Sequence, residues 1–243
     1  MTASPIVIIL GMHRSGTSSL AGSLQAAGLL LGDVNTQAPF NAKGNREYLR
    51  IMHLHDRVLA NSGHAWNSPP PAAARWTPAD LAERDAIVEQ LAAPGPWGFK
   101  DPRTLFTLEG WLERFPEALL VGTLRHPGRV AASLAARPAP LGVEPAQGLA
   151  LWAAYNRRLW AFWRRRPFPM VDFDADPVDY HRVVTRVRGL LGLAGPPDFF
   201  DEALRRSPRQ ALALDQDTAS LYQDLLGACR ATAAGSLPGP QPR

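Results

Sequence analysis

Short unbroken apolar runs alternate along the chain with amphipathic stretches of helical length. Residues 6–10 (IVIIL) predict a buried first strand, and residues 17–28 a helix with Leu20 and Leu24 one turn apart on its core side. Residues 29–31 predict a short second strand. Residues 46–61 predict a helix carrying Leu49, Met52, Val58 and Leu59, followed by a loop rich in Pro, Ala and Trp over 66–76. Thr77 is placed to cap a helix that Pro78 begins and that ends before Pro94. Strands are predicted over 97–100 and 118–124, with a helix over 104–114 between them and another after Pro127. A long helix over 144–166, a last strand over 168–173 and a helix over 178–191 follow. Pro196 and Pro197 then break the chain before C-terminal helices. There is no internal repeat.

This order predicts an α/β fold, a central parallel sheet with helices on both faces. At 243 residues a single domain over 1–232 is expected, with 233–243 a disordered tail. Ligands of such sheets bind at the carboxyl ends of the strands, where strand order reverses. Arg14 follows the first predicted strand, Lys100 ends another and Arg125 follows a third. Three cations at three strand ends would converge on one crevice.

Composition narrows the setting. The formal net charge is +4, and Lys43 and Lys100 are the only lysines among the basic residues. That balance favours anionic partners. No zinc-finger, basic-zipper or RNA-motif pattern promotes nucleic acid, and none is expected as a partner. No run approaches the ~18 apolar residues that a membrane helix needs. Cys229 is the single cysteine, which excludes an internal disulfide and fits a reducing, cytoplasmic location.

The chemistry starts in the loop after residue 10. Gly11 and Gly16 lie five apart and Thr17 and Ser18 follow at once, the spacing of a phosphate-binding loop in which amides and a helix N-terminus meet an anion. A nucleotide hydrolase keeps lysine where Thr17 stands; here the cation comes earlier, at Arg14. A plain strand–glycine–helix turn has the same outline. Arg125 and Ser133 are eight residues apart across a second strand-to-helix turn and can hold one phosphate, by fork geometry and by hydroxyl. Otherwise Ser133 is an incidental residue of a helix that Pro127 begins.

The run His13-Arg14-Ser15-Gly16-Thr17-Ser18 resembles the loop of the sulfotransferases. In the same order, Lys100-Asp101-Pro102-Arg103 resembles a segment of their bacterial members, and Arg125-His126-Pro127 with Ser133 their 3′-phosphate segment. The resemblance implies a P-loop-like three-layer fold and sulfuryl transfer from 3′-phosphoadenosine 5′-phosphosulfate (PAPS) to a hydroxyl or amine, leaving 3′,5′-ADP (PAP), with no metal. It implies that Gly11, His13, Arg14, Ser15, Gly16, Thr17 and Ser18 cradle the 5′ end while Arg125 and Ser133 grip the 3′-phosphate. Arg14 and Lys100 would stabilise charge on the transferring group. Pro102 stands where the cytosolic branch has its catalytic His, so the base must come from elsewhere. Residues 41–47 resemble a family segment that supplies a glutamate base, here Glu47; a helix N-terminal acid is the other reading of that residue. Asp101 either orients the site or pairs with Arg103 and caps the next helix.

Other clusters rank lower. His53 and His55, with His64 further on, read as surface or substrate-facing histidines rather than metal ligands. Trp152, Tyr155, Leu159 and Trp163 recur at helical spacing and read as core. Asp172, Asp174 and Asp176 follow the last strand and resemble a family segment more than a Mg²⁺-binding strand. Arg205, Arg206 and Arg209 are placed to close over the cofactor. Residues 32–43 and 66–76 are expected to shape an acceptor pocket for a glycan or small molecule. The rival readings are a P-loop kinase and a non-enzymatic polyanion-binding protein; oligomeric state is not readable.

Overall fold

A computed structural model describes residues 6–38, 41–91, 95–202 and 212–237. Its centre is a four-stranded parallel sheet in the order β2-β1-β3-β4, formed by β1 (Ile6–Leu10), β2 (Trp97–Lys100), β3 (Leu119–Leu124) and β4 (Met170–Asp172). All five residues of β1 are buried because the strand is covered on both sides. Ile6, Ile8 and Leu10 face one core, while Val7 and Ile9 face the other. Burial of each such side chain is worth roughly 1.5–3 kcal/mol, so β1 anchors both layers.

Two helices cover the second face: α1 (Thr17–Ala26), through Leu20 and Leu24, and α7 (Pro177–Leu190), through Tyr180, Val184 and Val187. The first face carries α2 (Leu49–Ala60), α4 (Thr104–Arg114), α5 (Pro127–Ala135), α6 (Pro145–Arg165) and α8 (Gln216–Ala234). The helix α3 (Pro78–Leu91) begins at a reciprocal cap. Thr77 Oγ1 accepts from the Asp80 amide at 3.2 Å, and an Asp80 carboxylate oxygen accepts from the Thr77 amide at 2.9 Å. The stripe of Trp152, Tyr155, Leu159 and Trp163 is core, as its spacing predicts.

Several boundaries differ from the sequence reading, each for a local reason. Residues 29–31 do not form a strand: Leu30 alone bridges to Trp97, and the chain turns away at Gly32, φ 73°. The helix expected from residue 46 begins at Leu49, because Gly44 (φ 74°) and Arg46 (φ 56°) turn the chain and Tyr48 is extended. The last strand is shorter than 168–173 and spans Met170–Asp172. Helix α8 continues through Ala234 and stops at Gly235 in the left-handed conformation, two residues past the expected start of the tail. Arg205, Arg206 and Arg209 lie outside the described residues.

From β1 the chain runs to β2 on one side, then crosses back past β1 to β3 on the other. The crevice at the carboxyl end of β1 is therefore the switch point of the sheet. It opens directly over the loop of residues 11–16.

Candidate active site

That loop is shaped by two glycines with no substitute. Gly11 has φ 150°, and a Cβ there would lie 2.7 Å from Thr123 and 2.8 Å from Thr17. Gly16 has φ 88°, and its Cβ would strike the Phe173 ring at 2.3 Å. Thr123 on β3 fixes the loop by donating its hydroxyl proton to the Ser15 carbonyl at 2.7 Å. Gly16 serves as N-cap of α1 without a side-chain cap. The first amides of α1 therefore have no helical carbonyl before them and carry the positive end of the dipole.

Arg14 holds a left-handed backbone, φ 66°, a conformation costing of order 1–3 kcal/mol in a non-glycine residue. Its Nε donates to Ser133 Oγ at 2.8 Å, while Arg125 Nη1 donates to the Arg14 carbonyl at 3.1 Å. Loop, β3 end and α5 thus meet at one residue. Burial, then the Arg137 and Arg125 cations, push the Arg14 guanidinium down to about 10, still charged at neutral pH. Mutual repulsion of buried cations is the electrostatic signature of a place built to receive an anion.

Asp174, just beyond β4, fixes this group from behind. It takes Arg125 Nε at 3.4 Å, Arg129 Nη1 at 2.9 Å and the His126 amide at 2.9 Å. His126 in turn caps α5, its Nδ1 accepting from the Gly128 amide at 3.1 Å. Asp176 caps α7.

Lys100, the last residue of β2, donates to Glu47 Oε1 at 2.6 Å, with both side chains buried. Glu47 lies outside α2, before its N-cap residue Tyr48, and no acidic residue stands in the first turn, so the alternative of a helix N-terminal acid does not hold. The segment before it is tied to the loop, because the Ser18 hydroxyl gives its proton to the Asn45 carbonyl at 2.9 Å. That bond takes up the Ser18 hydroxyl proton, so Ser18 faces a phosphate with its amide.

Under this pair lies a second buried network. Asp101 takes the Arg103 amide at 2.8 Å and Arg103 Nη1 at 3.1 Å, and Arg103 also reaches Asp56 at 2.5 Å. The pairing alternative for Asp101 is the observed one. Burial opposes the Asp101 charge, yet Arg103 and His55 hold its carboxyl well below the usual range. His55 is fully buried, not surface or substrate-facing, because Trp111 Nε1 donates to its Nε2 at 2.8 Å. A tryptophan only donates, so His55 Nε2 accepts, and the other ring nitrogen, Nδ1, lies 3.4 Å from an Asp101 oxygen.

These groups line one cavity of about 580 Å³. Of the expected site residues, His13, Arg14, Gly16, Thr17, Ser18, Glu47, Lys100 and Arg125 line it. Gly11, Ser15 and Ser133 do not; they shape the loop or hold Arg14 from behind. A further part of the lining, the far wall, is Met52, Trp66, Arg137 and Leu141 with Asn41 and Lys43; Arg137 also stands near enough to Arg14 for their charges to repel. Of the two segments expected to shape a pocket, residues 41–43 and Trp66 do so. Asp174 and Arg137 were not recognised from sequence as parts of the site. Arg137 stands two residues past the end of α5, just beyond Ser133.

His13 faces the far wall, its ring 5.0 Å from that of Trp66 and 5.7 Å from that of Tyr155. Its Nε2 is buried without a hydrogen-bond partner. Burial, then the Arg103 charge, keep its pKa well below the ordinary value despite Asp101, so the ring is neutral.

A parallel sheet with a phosphate-type loop at its switch point, cations at the ends of three adjacent strands and a buried acid–base pair together define a P-loop-like group-transfer enzyme. The chain belongs to the Sulfotransferase family, whose model matches residues 5–192, and the group it transfers is therefore the sulfuryl group. The sulfotransferase domain of the Synechococcus PCC 7002 olefin synthase is similar in fold, with a TM-score of 0.59 at 20% identity over 92% of this chain and 95% of that one. The sulfotransferase domain from the curacin biosynthetic pathway is also similar, with a TM-score of 0.51 at 15% identity over 92% and 98%. No curated protein matches the chain. No helix among the described residues is long and apolar enough to cross a membrane.

Proposed function

We propose that this sulfotransferase takes its sulfuryl group from PAPS and delivers it to a hydroxyl of a small-molecule acceptor. The observation that carries this reading is the shared cavity. Arg14, which binds Ser133, and Arg125, which binds Arg14, open onto the same space as the Lys100–Glu47 pair. The depressed Arg14 guanidinium and the unfilled amides of α1 fit a polyanionic ligand there. PAPS supplies the sulfuryl group: its S–O bond to the 5′-phosphate breaks as the S–O bond to the acceptor forms, and PAP leaves.

The residues divide the remaining work. Amides of Gly16, Thr17 and Ser18 hold the 5′-phosphate and Arg125 holds the 3′-phosphate, while Ser133 positions Arg14 behind them. Arg14 and Lys100 stabilise negative charge on the transferring and leaving oxygens, as pre-organised cations do in phosphoryl transfer. Glu47 takes the acceptor proton. In the resting site Lys100 occupies that carboxylate, so Lys100 must turn toward the sulfuryl oxygens before Glu47 can act. Anionic charge arriving beside Lys100 provides the pull. None of these roles calls on a metal ion.

A thermal-shift and calorimetric comparison of PAP with MgATP tests the donor. PAP should bind and raise the melting temperature while MgATP does neither; binding of MgATP without PAP would make the chain a nucleotide kinase-like protein instead. Labelled PAPS with an acceptor panel then reports turnover.

A further inference from the structure

Five of the six cations lining the cavity have a fixed partner in the fold. Lys100 has Glu47, Arg103 has Asp101 and Asp56, Arg125 has Asp174, Lys43 has Asp201 at 3.7 Å, and Arg14 has Ser133. Arg137 differs. No carboxylate pairs with it among the described residues, and its Nε is sealed from solvent without a hydrogen-bond acceptor. A buried guanidinium nitrogen left unmatched costs of the order of a lost hydrogen bond, and a fold keeps it only where something else compensates. Its contact within the fold is slight: the Arg137 guanidinium lies 6.0 Å from the centre of the Trp66 ring.

The neighbourhood of Arg137 tells what it awaits. Trp66 is pinned, because Tyr155 donates its hydroxyl proton to the Trp66 carbonyl at 2.8 Å. Leu141, four residues beyond Arg137, is 42% exposed yet lines the cavity. Met52 adds a further apolar side chain. Burial disfavours the Arg137 charge, and Glu47 is close enough to oppose that effect in part. A cation without a partner therefore stands between an apolar wall and the carboxylate assigned as base.

We infer that Arg137 reads an anionic group of the acceptor, and that the acceptor is an organic anion, a carboxylate or phosphate ester, whose apolar body rests on Trp66 and Leu141. This deepens the proposed function and rests on its donor assignment. The fork of Arg137 holds the anion and so turns the reacting hydroxyl toward Glu47. Arg137 is thus a specificity residue rather than a group that handles the sulfuryl itself.

The test uses the full chain saturated with PAP, titrated calorimetrically with phenyl phosphate, benzoate and benzyl alcohol. Both anions should bind and the neutral alcohol should bind at least tenfold more weakly. Arg137→Gln should remove that preference, weakening the anions by about ten- to a hundredfold, the range for loss of a charged hydrogen-bond partner. Arg137→Lys should restore part of it, and the PAP affinity of both variants should match that of the unaltered chain. Lack of anion preference, including absence of binding by all three probes, overturns the inference. So does unchanged anion binding in Arg137→Gln. A drop in PAP affinity in that variant assigns Arg137 to the donor instead. Failure of the unaltered chain to bind PAP is a separate result, which removes the donor reading and this one with it.

Discussion

The loop side of the cavity and its far wall are built on different terms. On the loop side the cations are held by the fold: Asp174 grips Arg125 and Arg129, Ser133 grips Arg14, and Thr123 fixes the loop carbonyl. On the far wall Arg137 has no such partner and Leu141 is left open to the cavity. A side whose groups are pre-positioned suits a ligand of fixed chemistry, because little reorganisation remains when it binds. A side with unmatched polar and apolar groups gains most of its order from what enters. On the function proposed above, the difference separates the side that would hold the donor from the side that would select the acceptor.

The strongest way to break this comparison is at Glu47, where the two sides meet. Glu47→Gln should cut turnover by about 10²–10⁴-fold, the usual range for a lost general base. Calorimetry on the same variant should leave PAP affinity within about twofold, a free-energy change of under ~0.5 kcal/mol. If turnover survives, Glu47 is not the base; if PAP affinity collapses with it, the two sides are not separable. A smaller effect sharpens the loop side alone. Asp174→Asn removes the charge that orients Arg125, and PAP should bind about tenfold more weakly, as expected when a buried charge pair loses one partner's charge. AMP lacks the 3′-phosphate and should be unaffected, so an equal loss for both nucleotides would detach Arg125 from that phosphate.

A further effect, on stability rather than on binding or turnover, lies at His13, between the two sides. Its pKa is depressed in the folded chain by burial and then by Arg103, against an ordinary value of 6.5. The unfolded chain therefore binds the extra proton first, and stability is complete above about pH 6.5 and falls as pH drops below it. Urea midpoints measured from pH 7.5 to 5 should decline more steeply for the unaltered chain than for His13→Asn. The excess loss should approach about 1.4 kcal/mol for each pH unit below that point. Parallel curves would mean that the ring is free to take up its proton.

What the sequence made legible follows the same division. Arg14, Lys100 and Arg125 could be placed because each adjoins a short apolar strand, and strand ends are fixed by period and punctuation. Thr17 and Gly16 could be read because a tight loop admits few residues. The strand expected at residues 29–31 was lost to a single positive-φ glycine, Gly32, which one-dimensional pattern does not reveal. His55 was misread as surface because its partners Trp111 and Asp101 are distant in the chain and nothing local forecasts their approach. Asp174 was visible as an acid, but its grip on Arg125 arises only when β3 and β4 lie side by side. Arg137 and Trp66 meet across a separation that carries no motif at all.

The hydrogen bond from Ser18 to the Asn45 carbonyl has a mechanical meaning. It fastens the opening turn of α1 to the peptide two positions ahead of Glu47. Whatever tugs on the phosphate cradle must also displace the strap that carries the carboxylate. The start of α1 and the approach to Glu47 therefore share one fastening, so a shift in either is felt at the other.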